Sequence, residues 1–158
     1  MLRGRLRRMK PLTRIRAERG PHRYHFGRMN TALGYVVVFV GGGLGAAVRH
    51  WVNRTALALV GPNYPAGTLF VNLAGSTAMG MLAAWFAFRG ETTSPNERLF
   101  LTTGVLGGFT TFSAFALDTR LMWERHDWAA ALVYAAASVI LSVVGLMAGM
   151  FIVRVPLA

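Results

Sequence analysis

Cysteine is absent from the 158 residues, which excludes a disulfide-stapled scaffold and any thiolate metal centre. Acid is scarce, with six Asp and Glu against 17 Lys and Arg. The long apolar runs hold no glutamate and no lysine. Their charged groups are Arg49, Asp118 and Arg120, each toward the end of its run. A proton relay or cation-binding carboxylate at mid-membrane is thereby excluded, since such chemistry needs an acid inside the span. Enzymatic signatures are missing as well. There is no Gly-x-Ser-x-Gly, no P-loop and no dinucleotide fingerprint. His22, His25, His50 and His126 do not form a metal-ligand spacing with a nearby acid. No enzymatic activity is expected.

What the chain does have is apolar length. Mean hydropathy is +0.42, 54% of residues are hydrophobic and 18 are glycine, a composition that suits a helical membrane protein of one domain. Four runs stand out, about 33–51, 66–88, 99–123 and 128–153, each near the length of roughly 17–25 residues that a helix needs to cross a bilayer. Residues 52–64 read as a mixed connector, in which Ala56–Val60 is too short to span and a short interfacial helix is possible. Trp51, Trp85, Trp123 and Trp128 fall near the ends of the runs, where an aromatic belt belongs. The fold expected is an all-α membrane protein with four transmembrane helices.

Charge is unevenly spread. Residues 1–28 carry ten of the 17 basic residues and one acid, Glu18, while residues 29–158 carry seven against five. Such an arm can meet nucleic acid or anionic headgroups. It lacks a nucleic-acid module and apolar periodicity, so it is read as disordered and no nucleic-acid partner is expected. Without the arm, Arg89, Arg98 and Arg154 lie on one side of the bilayer and Arg49, Arg54, Arg120 and Arg125 on the other. That near balance lets the body insert either way up, whereas the arm would hold the amino terminus in the cytoplasm. If insertion in both orientations is required, translation is expected to start at Met29, with residues 1–28 an artefact.

The third run contains Gly107-Gly108-Phe109-Thr110-Thr111-Phe112-Ser113-Ala114-Phe115. Two glycines followed by aromatic and β-branched residues make a poor helix interior, so this helix is expected to unwind at the double glycine, in mid-membrane. Unpaired backbone there is tolerated only where protein, an ion or water satisfies it, which makes the stretch a candidate ion site. The same residues also read as a packing face with hydroxyls bonded back to their own helix. Thr68, Asn72 and Ser76 recur at four-residue spacing, as do Tyr134, Ser138 and Ser142, so each set shares one helix face. With Thr110, Thr111 and Ser113 they resemble the walls of a polar route. Hydroxyls, amides and the positive edges of rings such as Phe112 and Phe115 can receive an anion. The Gly-x-x-x-Gly pairs at 41/45, 104/108 and 145/149 read as packing faces.

Gly42-Gly43-x-Gly45-Ala46-x-x-Arg49, Pro65-x-Gly67-Thr68-Leu69-x-Val71-Asn72-x-x-Gly75-Ser76 and Gly104-x-x-Gly107-Gly108-Phe109-Thr110-Thr111-Phe112-Ser113-x-Phe115 together resemble the small fluoride channels, the Fluc/CrcB family. The likeness covers about 29–154. It implies a passive, fluoride-selective exporter of the cell (inner) membrane, an antiparallel dual-topology homodimer with two pores around a buried structural Na⁺. It also implies that backbone carbonyls of Gly107 and Thr110 from both copies hold the sodium, and that Phe112 and Phe115 line the fluoride path. Thr68, Asn72, Tyr134, Ser138 and Ser142 match its polar side, Ser113 falls beside it, and Arg49 takes a vestibule or structural place. Ala114 stands where the family usually has a hydroxyl, and Asp118 where it often has glutamate.

Two other readings compete. A small dual-topology multidrug exporter also has four spans, but it relies on a carboxylate in span one, which is absent here. A non-transporting membrane scaffold would use the glycines for packing alone.

Overall fold

The computed structural model describes residues 31–89 and 93–154, and the basic arm lies outside them. The described residues form α1 (Thr31–Val60), α2 (Ala66–Arg89), a composite third span and α6 (Trp128–Arg154). The third span runs through α3 (Pro95–Leu99), a π-helical stretch (Phe100–Leu106), α4 (Gly107–Phe109) and α5 (Phe112–Glu124). No strand occurs among the described residues. Four helical segments, Thr31–Val60, Ala66–Phe88, Pro95–Glu124 and Trp128–Arg154, are long and apolar enough to cross a membrane.

Two boundaries differ from those the sequence predicts. The residues read as a connector continue α1 without interruption to Val60. Nothing between Val48 and Val60 breaks a helix; the first breaker is Gly61, at φ 88°, followed by Pro62. The third span begins at Pro95 because a capping box starts it. The Ser94 hydroxyl accepts from the Glu97 N–H while the Glu97 carboxylate accepts from the Ser94 N–H, both at 3.2 Å, with proline in the first turn.

Glycine sets how closely the helices approach. Between α2 and α6, a Cβ on Gly80 would overlap the Leu146 carbonyl, and one on Gly149 the Thr77 carbonyl. Between α1 and the third span, a Cβ on Gly45 would overlap the Val105 carbonyl. Gly41 and Gly104 meet backbone to backbone, and Gly108 sits against the Gly42 carbonyl. These are the close contacts that small residues allow in membrane helices.

Large apolar side chains cover the outside, with Phe39 82% and Leu59 80% exposed, whereas Tyr134, Met122 and Val71 are fully enclosed. Met122, Ala131 and Tyr134 form a buried cluster, against which Leu69, Phe115 and Ala130 pack. It ties α5 and α6 to the start of α2, which is where the polar stripes converge.

Candidate ion pathway

The helical backbone of the third span stops at Phe109 and resumes at Phe112. Thr110 (φ −80°, ψ 157°) and Thr111 (φ −154°, ψ 116°) between them are extended. The interruption lies beyond the double glycine where the sequence puts it. Gly107 remains helical, at φ −63° and ψ −37°, and Gly108 lies within α4. Glycine permits unwinding without compelling it, and here the close fit of Gly108 to α1 favours helix. The residues that leave the helix are threonines, and Thr111 finds its alternative partners on another segment.

Asn72 supplies the main one. Its Oδ1 accepts from the Thr111 N–H at 2.8 Å and its Nδ2 donates to the Thr111 carbonyl at 3.0 Å. One α2 side chain thus replaces both hydrogen bonds that Thr111 forgoes. The Thr111 hydroxyl caps α5 by accepting from the Ala114 N–H at 3.2 Å, and it shares a hydrogen bond of 3.2 Å with the Ser113 hydroxyl. The sequence places Thr111 on the wall of a polar route but does not show this capping role. The signal that could have found it is a threonine three residues before an apolar helical turn. Thr110 keeps its own helix as partner, since its N–H and hydroxyl both donate to the Leu106 carbonyl, at 3.0 and 2.9 Å. For this threonine the back-bonded alternative holds.

The carbonyls at the interruption can be tested as cation ligands. The N–H that would close a helical turn onto the Gly107 carbonyl is that of Thr111, and it donates to Asn72 instead. The N–H that would reach the Thr110 carbonyl is that of Ala114, and it donates to the Thr111 hydroxyl. Both oxygens therefore lack their helical donors, the condition a hard cation requires. One chain offers two such oxygens, fewer than a hard cation takes. The Arg49 guanidinium also donates to the Thr110 carbonyl, at 3.4 Å, bringing α1's cation to the interruption.

The remaining predicted residues divide into two groups. Phe112 and Phe115 have ring centroids 5.3 Å apart, and Phe115 lies 5.6 Å from Tyr134. Tyr134 meets Tyr64 edge-on at 5.9 Å. Its hydroxyl donates to Asp118 Oδ2 at 3.4 Å, with the Thr68 and Ser138 side chains alongside. Thr68 and Ser138 are 6% and 4% exposed, and the buried Ser138 hydroxyl makes no well-formed hydrogen bond among the described residues. The rings, Tyr134, Thr68, Ser138 and Asp118 thus form one continuous track along α5, α6 and the start of α2. Asn72 and Ser113 sit with Thr111 at the interruption. Ser142 is half-buried, one turn beyond Ser138. Phe112 is 77% exposed, so this chain alone leaves one side of the ring pair open.

Comparison with known proteins places this arrangement. Residues 36–150 match the family described as CrcB-like protein, Camphor Resistance (CrcB). The chain is 53% identical over 122 residues to Fluoride-specific ion channel FluC 2 of Nitrobacter hamburgensis, covering 77% of this chain and 98% of that protein. It is 52% identical over 122 residues to Fluoride-specific ion channel FluC of Methylobacterium nodulans, covering 77% and 97%. With the protein of the same name from Rhodopseudomonas palustris it shares 48% over 120 residues, covering 76% and 96%. Those relatives are named as ion channels, and the four apolar helices make this chain a multi-pass membrane protein. A match running from α1 almost to the end of α6, and so through the interruption and the whole polar track, shows that the chain belongs to the CrcB-like family.

Proposed function

We propose that this chain is a fluoride-selective passive channel of the cell (inner) membrane, exporting cytoplasmic fluoride as an antiparallel, dual-topology homodimer with two pores. The observation that carries the reading is the buried Ser138 hydroxyl, which lies beside Tyr134 and has no well-formed hydrogen bond among the described residues, on the same track as Thr68 and the Phe112–Phe115 pair. A polar group enclosed by apolar helices costs free energy unless something receives its hydrogen. An anion passing along the track does so. The names of the relatives give the anion's identity its support.

Fluoride is small and strongly hydrated, so the pore must replace water with close donors and still release the ion. Thr68 and Ser138 hydroxyls offer rotatable donors. Asn72 spends one amide hydrogen on the Thr111 carbonyl and keeps the other for the path. The edges of Phe112 and Phe115 supply weak positive potential without a charge that would trap the ion. Ser113 and Ser142 extend the donors to either end.

A second, inverted copy completes this arrangement in two respects. It covers the exposed face of Phe112, and its Gly107 and Thr110 carbonyls join those of the first copy around a structural Na⁺. When bound, that cation supplies a fixed positive charge at the dimer centre that favours an anion nearby. The multidrug exporter has no support in span one, where a carboxylate is missing. The test is fluoride efflux from liposomes holding the purified protein, with chloride as control. Fluoride efflux without a proton gradient and without chloride efflux is expected. Coupled drug–proton exchange, or no flux of any ion, would refute the reading.

A further inference from the structure

A cavity of about 300 Å³ opens between the α1–α2 connection and the end of α5, lined by Pro62, Pro65, Asp118, Leu121, Met122, Glu124 and Arg125. It borders the polar track, because Asp118 on its wall accepts the Tyr134 hydroxyl. Resting on the reading of this chain as an anion channel, we propose that Arg125 is a specificity-determining residue at this mouth, the charge that lets an anion enter past Asp118.

Three observations fix its role. Glu124, the other carboxylate on the wall, is paired with Arg120 at 2.9 Å, so its charge is largely answered from outside the cavity. Asp118 is not paired in that way; its described partner is a neutral hydroxyl. Arg125 is the basic residue on the wall, and it is held there at both ends. Its backbone ends α5, with the N–H donating to the Leu121 carbonyl at 3.2 Å, a position where a cation is favoured. Its guanidinium donates to the Asn63 carbonyl at 3.1 Å, which spans the rim between the α1–α2 connection and the α5–α6 turn. With Arg125 in place the mouth is close to neutral. Without it, the approaching anion meets the field of Asp118, in a concave wall that focuses it.

The cysteine-free sequence permits a direct test on protein already folded. Arg125→Cys introduces one thiol, which is then modified in liposomes with a trimethylammonioethyl, a sulfonatoethyl or a neutral methyl methanethiosulfonate. At low ionic strength, fluoride efflux is expected to fall about ten-fold in Arg125→Cys. The cationic reagent should restore it, the anionic reagent lower it further, and the neutral one leave it unchanged. In about 1 M impermeant salt, where the Debye length is about 3 Å, the three should converge. Arg125→Lys should stay close to the unmodified chain at both salt levels. Equal effects of the cationic and anionic reagents, or differences that persist in high salt, would overturn the proposal and leave Arg125 as a strap on Asn63. If the parent chain passes no fluoride, the channel reading itself fails. If it does and the reagents change nothing, only this inference does.

Discussion

The α2–α6 pair and the third span use the same ingredients, glycine, threonine and aliphatic residues, to opposite ends. In α2–α6, glycines let backbone meet backbone while both helices stay regular. The third span also approaches α1 through glycines, but its backbone is π-helical over Phe100–Leu106 and extended at Thr110 and Thr111. Its main-chain groups are handed to side chains of α1 and α2 through Arg49 and Asn72. Here the helix leaves regular geometry where another helix carries a side chain of matching donor and acceptor. The α2–α6 pair supplies the rigid frame on which that exchange is possible.

The most severe way to break this contrast is to remove the exchange. Asn72→Leu leaves the Thr111 N–H and carbonyl without the partners that Asn72 provides, at about 1–3 kcal/mol for each unpaired group. Flux is expected to fall by about a hundred-fold or more, in keeping with loss of the built geometry. Thr111 should then seek helical partners, and amide exchange around Thr111 should accelerate while that of α6 does not. Unchanged flux with unchanged exchange would show that Asn72 does not hold the interruption.

A smaller effect is expected from the frame. Gly80→Ala forces α2 away from the Leu146 carbonyl and should destabilise by about 1–3 kcal/mol, as overpacking does. The melting temperature should drop while flux per folded channel is kept. Gly43→Ala is the matched control. A Cβ there meets nothing within 4 Å, so the change should lie within about 0.5 kcal/mol of the parent. A Gly43 defect as large as that of Gly80 would mean that a second copy sits against Gly43.

Both regions were legible in the sequence to different depths. The four spans follow from apolar runs bounded by Gly61-Pro62 and Ser94-Pro95, because hydropathy and breakers are local properties. The continuation of α1 through Arg49 to Val60 was less visible, since Arg49, Asn53 and Arg54 lower the apolar signal without interrupting a helix. The interruption was readable as a disturbed stretch, but not to the residue. Its position depends on Asn72, 39 residues away, and on Gly108 fitting the Gly42 carbonyl, neither of which is a local propensity. The polar track was visible as two helical stripes. That Thr68 and Ser138 meet at Tyr134 depends on how α2 and α6 pack.

Ser138 separates function from packing more cleanly than Asn72 does. Its hydroxyl is buried and makes no well-formed hydrogen bond among the described residues, so Ser138→Ala removes a group that contributes little to the fold and whose burial has a cost. Thermal stability should stay level or rise slightly, while fluoride efflux falls about ten-fold through the loss of one donor, worth roughly 1.4 kcal/mol at the barrier. If flux is unaffected, the ion does not use this hydroxyl and the path runs elsewhere.

The smallest effect belongs to the surface of the third span. Arg120 and Glu124 pair at 2.9 Å with their side chains 64% and 51% exposed, where an i,i+4 ion pair contributes about 0.3–0.5 kcal/mol. Arg120→Gln should leave the melting temperature nearly unchanged, because solvent already screens the pair. Its consequence should lie at the mouth instead, where freeing Glu124 adds negative charge beside Asp118 and lowers fluoride entry modestly at low salt. A salt-sensitive drop in flux without a change in stability is therefore the expected result. The converse, a loss of stability with flux intact, would show that this pair serves the helix and that the charge of Glu124 does not reach the path.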